Sequence, residues 1–79
     1  MNIDTNATQK SIWIYVTDIE TMHQIDIVSK TLNAEPSILK WSVDTEDIDN
    51  VLRVESKYVG EHHIQLALER QGLNCKPML

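Results

Sequence analysis

Ile12-Trp13-Ile14-Tyr15-Val16-Thr17, followed shortly by Thr21-Met22-His23-Gln24, decides the fold of this chain. The first run is β-branched and aromatic and has the length of a strand. Trp13 and Tyr15 fall on one side of it, Ile12, Ile14 and Val16 on the other. Both sides are apolar, which suits a central strand. The second run has the Thr-x-x-Gln pattern of a capping box. The threonine hydroxyl can accept from the Gln24 amide while the glutamine side chain returns to the threonine amide. Met22, Ile25, Val28 (or Ser29) and Leu32 then recur at helical spacing, and Met22 is expected in the core. Asn33 is expected as a left-handed stop, and Pro36 prevents continuation. A strand leading directly into a capped helix marks the start of a β-α unit.

Outward from this unit the pattern continues. Leu39, Trp41 and Val43 alternate with Lys40, Ser42 and Asp44, the mark of a half-buried strand. Leu52 and Val54 alternate with Val51, Arg53 and Glu55, giving a third strand. The acidic stretch Asp44 to Asn50 between them reads as a hairpin loop. A second helix is expected from Gly60 as N-cap, with Val59 and Ile64 as a hydrophobic staple. Ile64, Ala67 and Leu68 form its buried stripe, Arg70 favours its last turn, and Gly72 provides a left-handed stop followed by Leu73. Leu73 to Lys76 is a short last strand, placed at an edge by Pro77. The order β-α-β-β-α-β with right-handed crossovers gives an α+β, ferredoxin-like sandwich. Its four-stranded antiparallel sheet carries two helices on one face, with the first and third strands central.

Seventy-nine residues make a single domain, expected over 11–79, with 1–10 as a flexible N-terminal segment. Twelve acidic residues against seven basic ones give a net charge of −5. That balance argues against nucleic acid and against an anionic membrane surface. No apolar stretch is long enough to span a bilayer, and the start of the chain lacks a secretory pattern. Asn6-Ala7-Thr8 is therefore a chance glycosylation match. The lone Cys75 rules out an internal disulfide and fits a reducing, cytoplasmic setting.

The segments Leu39 to Asp44, Asn50 to Glu55 and the helix ending at Gln71-Gly72-Leu73 together resemble the heavy-metal-associated (HMA) domain. That family includes copper chaperones and soluble domains of metal-pumping ATPases. The resemblance runs from about Ser11 to the C-terminus and rests mostly on framework positions. It implies a soft-metal site at the start of the first helix, held by Cys-x-x-Cys, and a core methionine where this chain has Ile19. Here the matching positions are Thr21 and Gln24. A hydroxyl and a carboxamide supply no soft anionic ligand. The scaffold is thus expected to be kept and its metal motif lost, with no cofactor.

Other candidate sites have simpler readings. His62 and His63 are adjacent on a helix and point about 100° apart, so they do not converge on one ion. His23 lies near the expected metal loop and, with His62 and His63, is a weak metal candidate. Cys75 reads as a small buried residue. Asp44, Glu46, Asp47 and Asp49 lack the ligand ladder and glycine of a calcium loop. No glycine-rich phosphate loop and no local nucleophile signature is present, so the chain is read as a non-enzyme. Tyr15 to Ile19 loosely echoes the first motif of the RNA-recognition module, yet the third strand lacks the aromatics that stack on bases. Ligand sensing at a dimer interface would rest on analogy of fold alone.

One surface stands out. With helices on one face, the other side of the sheet shows Ile12, Ile14, Val16 and Val51 beside charged residues, a candidate interface. The sequence thus supports a metal-independent protein-interaction module, as a homodimer or with an unidentified protein partner. The alternative is a divergent heavy-metal-binding or transport protein using ligands other than Cys-x-x-Cys.

Overall fold

The computed structural model describes residues 10–78. The expected flexible segment and the chance glycosylation match lie outside it, except that Lys10 is the first residue of the first strand. The elements are β1 (Lys10–Thr17), α1 (Met22–Asn33), β2 (Ile38–Asp44), β3 (Val51–Lys57), α2 (Glu61–Glu69) and β4 (Cys75–Pro77). The sheet order is β2-β3-β1-β4, with every neighbouring pair antiparallel. Both helices cover one face. This is the ferredoxin-like arrangement, with β1 and β3 in the centre.

Alternation along the strands sorts side chains between the two faces. Tyr15, Leu52 and Val54 turn inward and are fully buried with Ile19, Val28, Leu32, Ile64, Leu68 and Cys75. Trp13, Trp41 and Val43 pack against this core from the margins. Burying an aromatic ring with a polar tip requires a partner for that tip. The Trp13 Nε1–H donates to the Val59 carbonyl at 3.0 Å and to Ser56 Oγ at 3.2 Å. The Tyr15 hydroxyl donates to the Glu61 carbonyl at 2.8 Å, in the first turn of α2. The Trp41 Nε1–H donates to Asn33 Oδ1 at 3.0 Å.

That last bond explains one departure from expectation. Asn33 does not adopt the left-handed conformation, which falls instead on Asn50, Tyr58 and Gly72. Its amide bridges Ser29 and Trp41, so it stays in the last turn of α1. The helix ends at Ala34, in ordinary right-handed geometry, just before Pro36. Met22 is a second departure. It is 78% exposed, because it is the first residue of α1, ahead of the turn that meets the sheet.

α2 closes at Gly72 as expected, although Arg70, expected in the last turn, is the C-cap residue just beyond it. Gly72 has φ +88, its N–H donates to the Glu69 carbonyl, and the Leu73 N–H reaches back to the Leu68 carbonyl at 3.3 Å. This paired closure satisfies carbonyls the helix leaves open and buries Leu73 against the core.

Candidate functional site

The loop from β1 to α1 is where the resemblance puts a metal. Thr17 is buried; its hydroxyl donates to the Asn50 carbonyl and accepts from the Ile19 amide at 3.1 Å. Asp18 accepts from the Asn74 amide at 3.1 Å and from its side-chain Nδ2 at 3.0 Å, tying the loop to the start of β4. Ile19 then drops into the core. These anchors leave Glu20 to His23 at the surface.

Thr21 is the N-cap of α1, with extended backbone (φ −107, ψ 159). Its Oγ1 accepts from the Gln24 amide at 3.1 Å. Gln24 Oε1 accepts from the Glu20 amide at 2.7 Å and the Thr21 amide at 3.0 Å. The Thr21 hydroxyl also lies 3.2 Å from the same oxygen. The Thr21 and Gln24 side-chain oxygens are therefore occupied by the backbone amides of Glu20, Thr21 and Gln24. A soft cation would have to displace those bonds and would gain only neutral, hard ligands. The residues present do not fit a copper(I) ion.

The remaining candidates do not converge on this loop. His23 is exposed on the first turn of α1, where the positive end of the helix disfavours a cation. His62 and His63 are exposed on α2, and His63 Nε2 lies 3.5 Å from Glu35 Oε2, linking α2 to the segment after α1. Among the described residues no three of His, Cys, Asp and Glu are grouped as a metal would need. Cys75 is buried on β4 opposite Thr17. Burial, followed by the negative charges of Glu69 and Asp18, pushes its thiol up from 9.0 to about 12. It is thus a protonated thiol at neutral pH, a poor nucleophile and a poor ligand. Burial, then Cys75 and Glu61, likewise raises the Tyr15 hydroxyl above its usual range.

The acidic loop uses its carboxylates on itself. Asp44 accepts from the Glu46 amide at 3.0 Å and Asp47 from the Asp49 amide at 2.8 Å. These are side-chain turns closing the hairpin, and they leave Ile48 exposed at the tip.

The uncovered sheet face carries Ile12, 44% exposed, with Ile14, Val16 and Val51 half-buried. Across the strands Ile12 faces Glu55, which faces Lys40, and Ile14 faces Arg53, which faces Ser42. Lys40 to Ser42 with Arg53 and Glu55 line a shallow open hollow there. Sequence reasoning missed five members of this face, Lys10, Asp44, Lys57, Lys76 and Met78. Strand parity was the available signal for the three lysines and Asp44.

No protein-family model matches the chain, and neither does any curated protein sequence. Solved structures do resemble it. The apo HMA domain of the copper chaperone for superoxide dismutase overlays with a TM-score of 0.72 at 18% identity, over 90% of this chain and 71% of that one. The copper(I)-loaded first domain of the human copper chaperone for superoxide dismutase also gives 0.72 at 18%, over 86% and 92%. The yeast copper transporter domain CCC2A, studied apo and copper(I)-loaded, gives 0.73 at 16%, over 86% and 94%. At these identities the likeness is one of fold: the chain has an HMA-like, ferredoxin-like fold.

Proposed function

We propose that this domain is a metal-independent protein-interaction module built on an HMA-like scaffold. The observation that carries this reading is the closed capping box, in which Thr21 and Gln24 spend their oxygens on the backbone amides of Glu20, Thr21 and Gln24. The burial of Cys75, the one thiol of the chain, supports it, since that thiol is held protonated inside the core on β4 and is not exposed to a metal at the surface. The same buried thiol suits a reducing compartment such as the cytoplasm. The role is one of binding rather than catalysis, because the titratable groups near the loop are either exposed or committed to structural bonds.

Native mass spectrometry of untagged chain, purified without chelators and then challenged with copper(I), zinc and nickel under excess glutathione, tests this. The expected result is a metal-free protein at every step. A stoichiometric ion retained against the thiol contradicts the proposal and favours the divergent metal binder, with His23, His62 and His63 as the residues to substitute first.

A further inference from the structure

The open face of the sheet gathers positive charge out of a negative chain. Five of the seven basic residues, Lys10, Lys40, Arg53, Lys57 and Lys76, stand on it by strand parity and pairing. Only two acidic residues share the face, Asp44 and Glu55. The other acids among the described residues all lie on helices and loops. Lys10 sits directly opposite Lys57, a like-charge pair that sheets ordinarily avoid. Glu55 is asked to neutralise several cations at once. It lies 3.3 Å from Lys10 Nζ and 3.9 Å from an Arg53 nitrogen and is paired across the ladder with Lys40. Among the described residues no carboxylate lies within ion-pair distance of Lys40, Lys57 or Lys76.

An aliphatic stripe runs through this basic field. Ile12, Ile14 and Val16 follow one another on β1, with Val51 on β3. Met78, 39% exposed, extends the stripe, its N–H donating to the Ile14 carbonyl at 2.9 Å. No aromatic side chain joins them, since Trp13, Tyr15 and Trp41 all pack against the core on the helix side.

We infer that this face binds a short segment of a partner protein that has aliphatic side chains at its centre and carboxylates on its flanks. The inference rests on the interaction-module role proposed above and names the partner's chemistry. Charge complementarity selects an acidic partner and guides its approach. Size selects a segment rather than a second folded body. Three strands of seven or eight residues and the three-residue β4 offer roughly 400 Å² in projection, about half of the ~800 Å² per partner that a stable protein interface takes. A second copy meeting face to face would set five cations against the same five, which is repulsive. A nucleic acid would find phosphate contacts but no ring on which to stack a base.

The test uses the full chain, labelled with nitrogen-15, and a synthetic probe of sequence Glu-Asp-Glu-Ile-Val-Leu-Ile-Glu-Asp-Glu. Its controls are the same peptide with lysine in place of every acid, an oligouridylate, and phosphatidylserine vesicles. The expected result is amide shifts confined to Lys10–Val16, Lys40–Asp44, Val51–Lys57 and Lys76–Met78, with binding that weakens as salt rises. Lys40→Glu with Arg53→Glu should weaken binding by about tenfold or more, while Lys30→Glu on α1 leaves it unchanged. Circular dichroism confirms that each variant is folded. Absence of shifts, shifts on the helices, equal binding of the lysine peptide, tighter binding of RNA or vesicles, or self-association through this face would each overturn the inference. The titration is repeated with one equivalent of copper(I) or zinc. Binding that appears only with metal contradicts the metal-independent role itself, whereas no binding in either condition contradicts only the assignment of this face.

Discussion

The two faces of one sheet have opposite fates. On the helix side Tyr15, Leu52 and Val54 are sealed, and each aromatic polar tip has a named partner. On the open side Ile12 and Met78 remain in contact with water, flanked by lysines whose charges outnumber the nearby carboxylates. Folding consumes the first face. The second stays partly open to water and is the face proposed above to bind a partner. The β1–α1 loop falls with the first face, because its polar atoms have been turned to structure.

Substitutions on the two faces should separate sharply. Leu52→Ala removes a fully buried side chain from the central strand β3 and should cost about 2–5 kcal/mol by urea denaturation. A cost under 1 kcal/mol would place Leu52 outside the core. Alkaline pH probes the same face next. The Cys75 thiol is raised from 9.0 to about 12, so the fold favours its neutral form. That contribution is fully present below pH 9 and is lost as pH climbs through 12. Stability measured from pH 8 to pH 12 should therefore decline, and Cys75→Ala should flatten the decline. An unchanged slope in the variant would assign the effect to Tyr15 alone, whose raised hydroxyl acts in the same direction.

The cap comes third in size. Thr21→Ala opens the capping box and should lower stability by about 1 kcal/mol, with a drop in helix signal. A neutral result would mean that the box contributes nothing and that Thr21 is free for another task. The smallest effect belongs to the open face. Ile12→Ser should change stability by no more than about 0.5 kcal/mol, and a larger loss would mean that the stripe belongs to the fold.

Much of this was legible in the sequence, where local chemistry and periodicity agree. Strand alternation at Trp13 and Tyr15, the Thr21–Gln24 box and the closure at Gly72 are short-range features, and each formed as its residues dictate. Met22 was misplaced because periodicity fixes which helix face a residue shares but not how far the helix overhangs the sheet. Asn33 was misread because its conformation is held by Trp41, eight residues away, through a side-chain bond no local pattern shows. The open face was legible in part. Alternation placed Ile12, Ile14, Val16 and Val51 together, yet the gathering of five cations on a face with two carboxylates needed the cross-strand register.

The central claim, that an intact HMA-like frame carries a helix cap where a metal grip would sit, is tested most directly by restoring that grip. Copper(I) binding is measured against excess glutathione for the native chain and for the double variant Thr21→Cys, Gln24→Cys. The account predicts no uptake by the native chain and one copper(I) per molecule of the variant. Tight uptake by the native chain, or none by the folded variant, would contradict it.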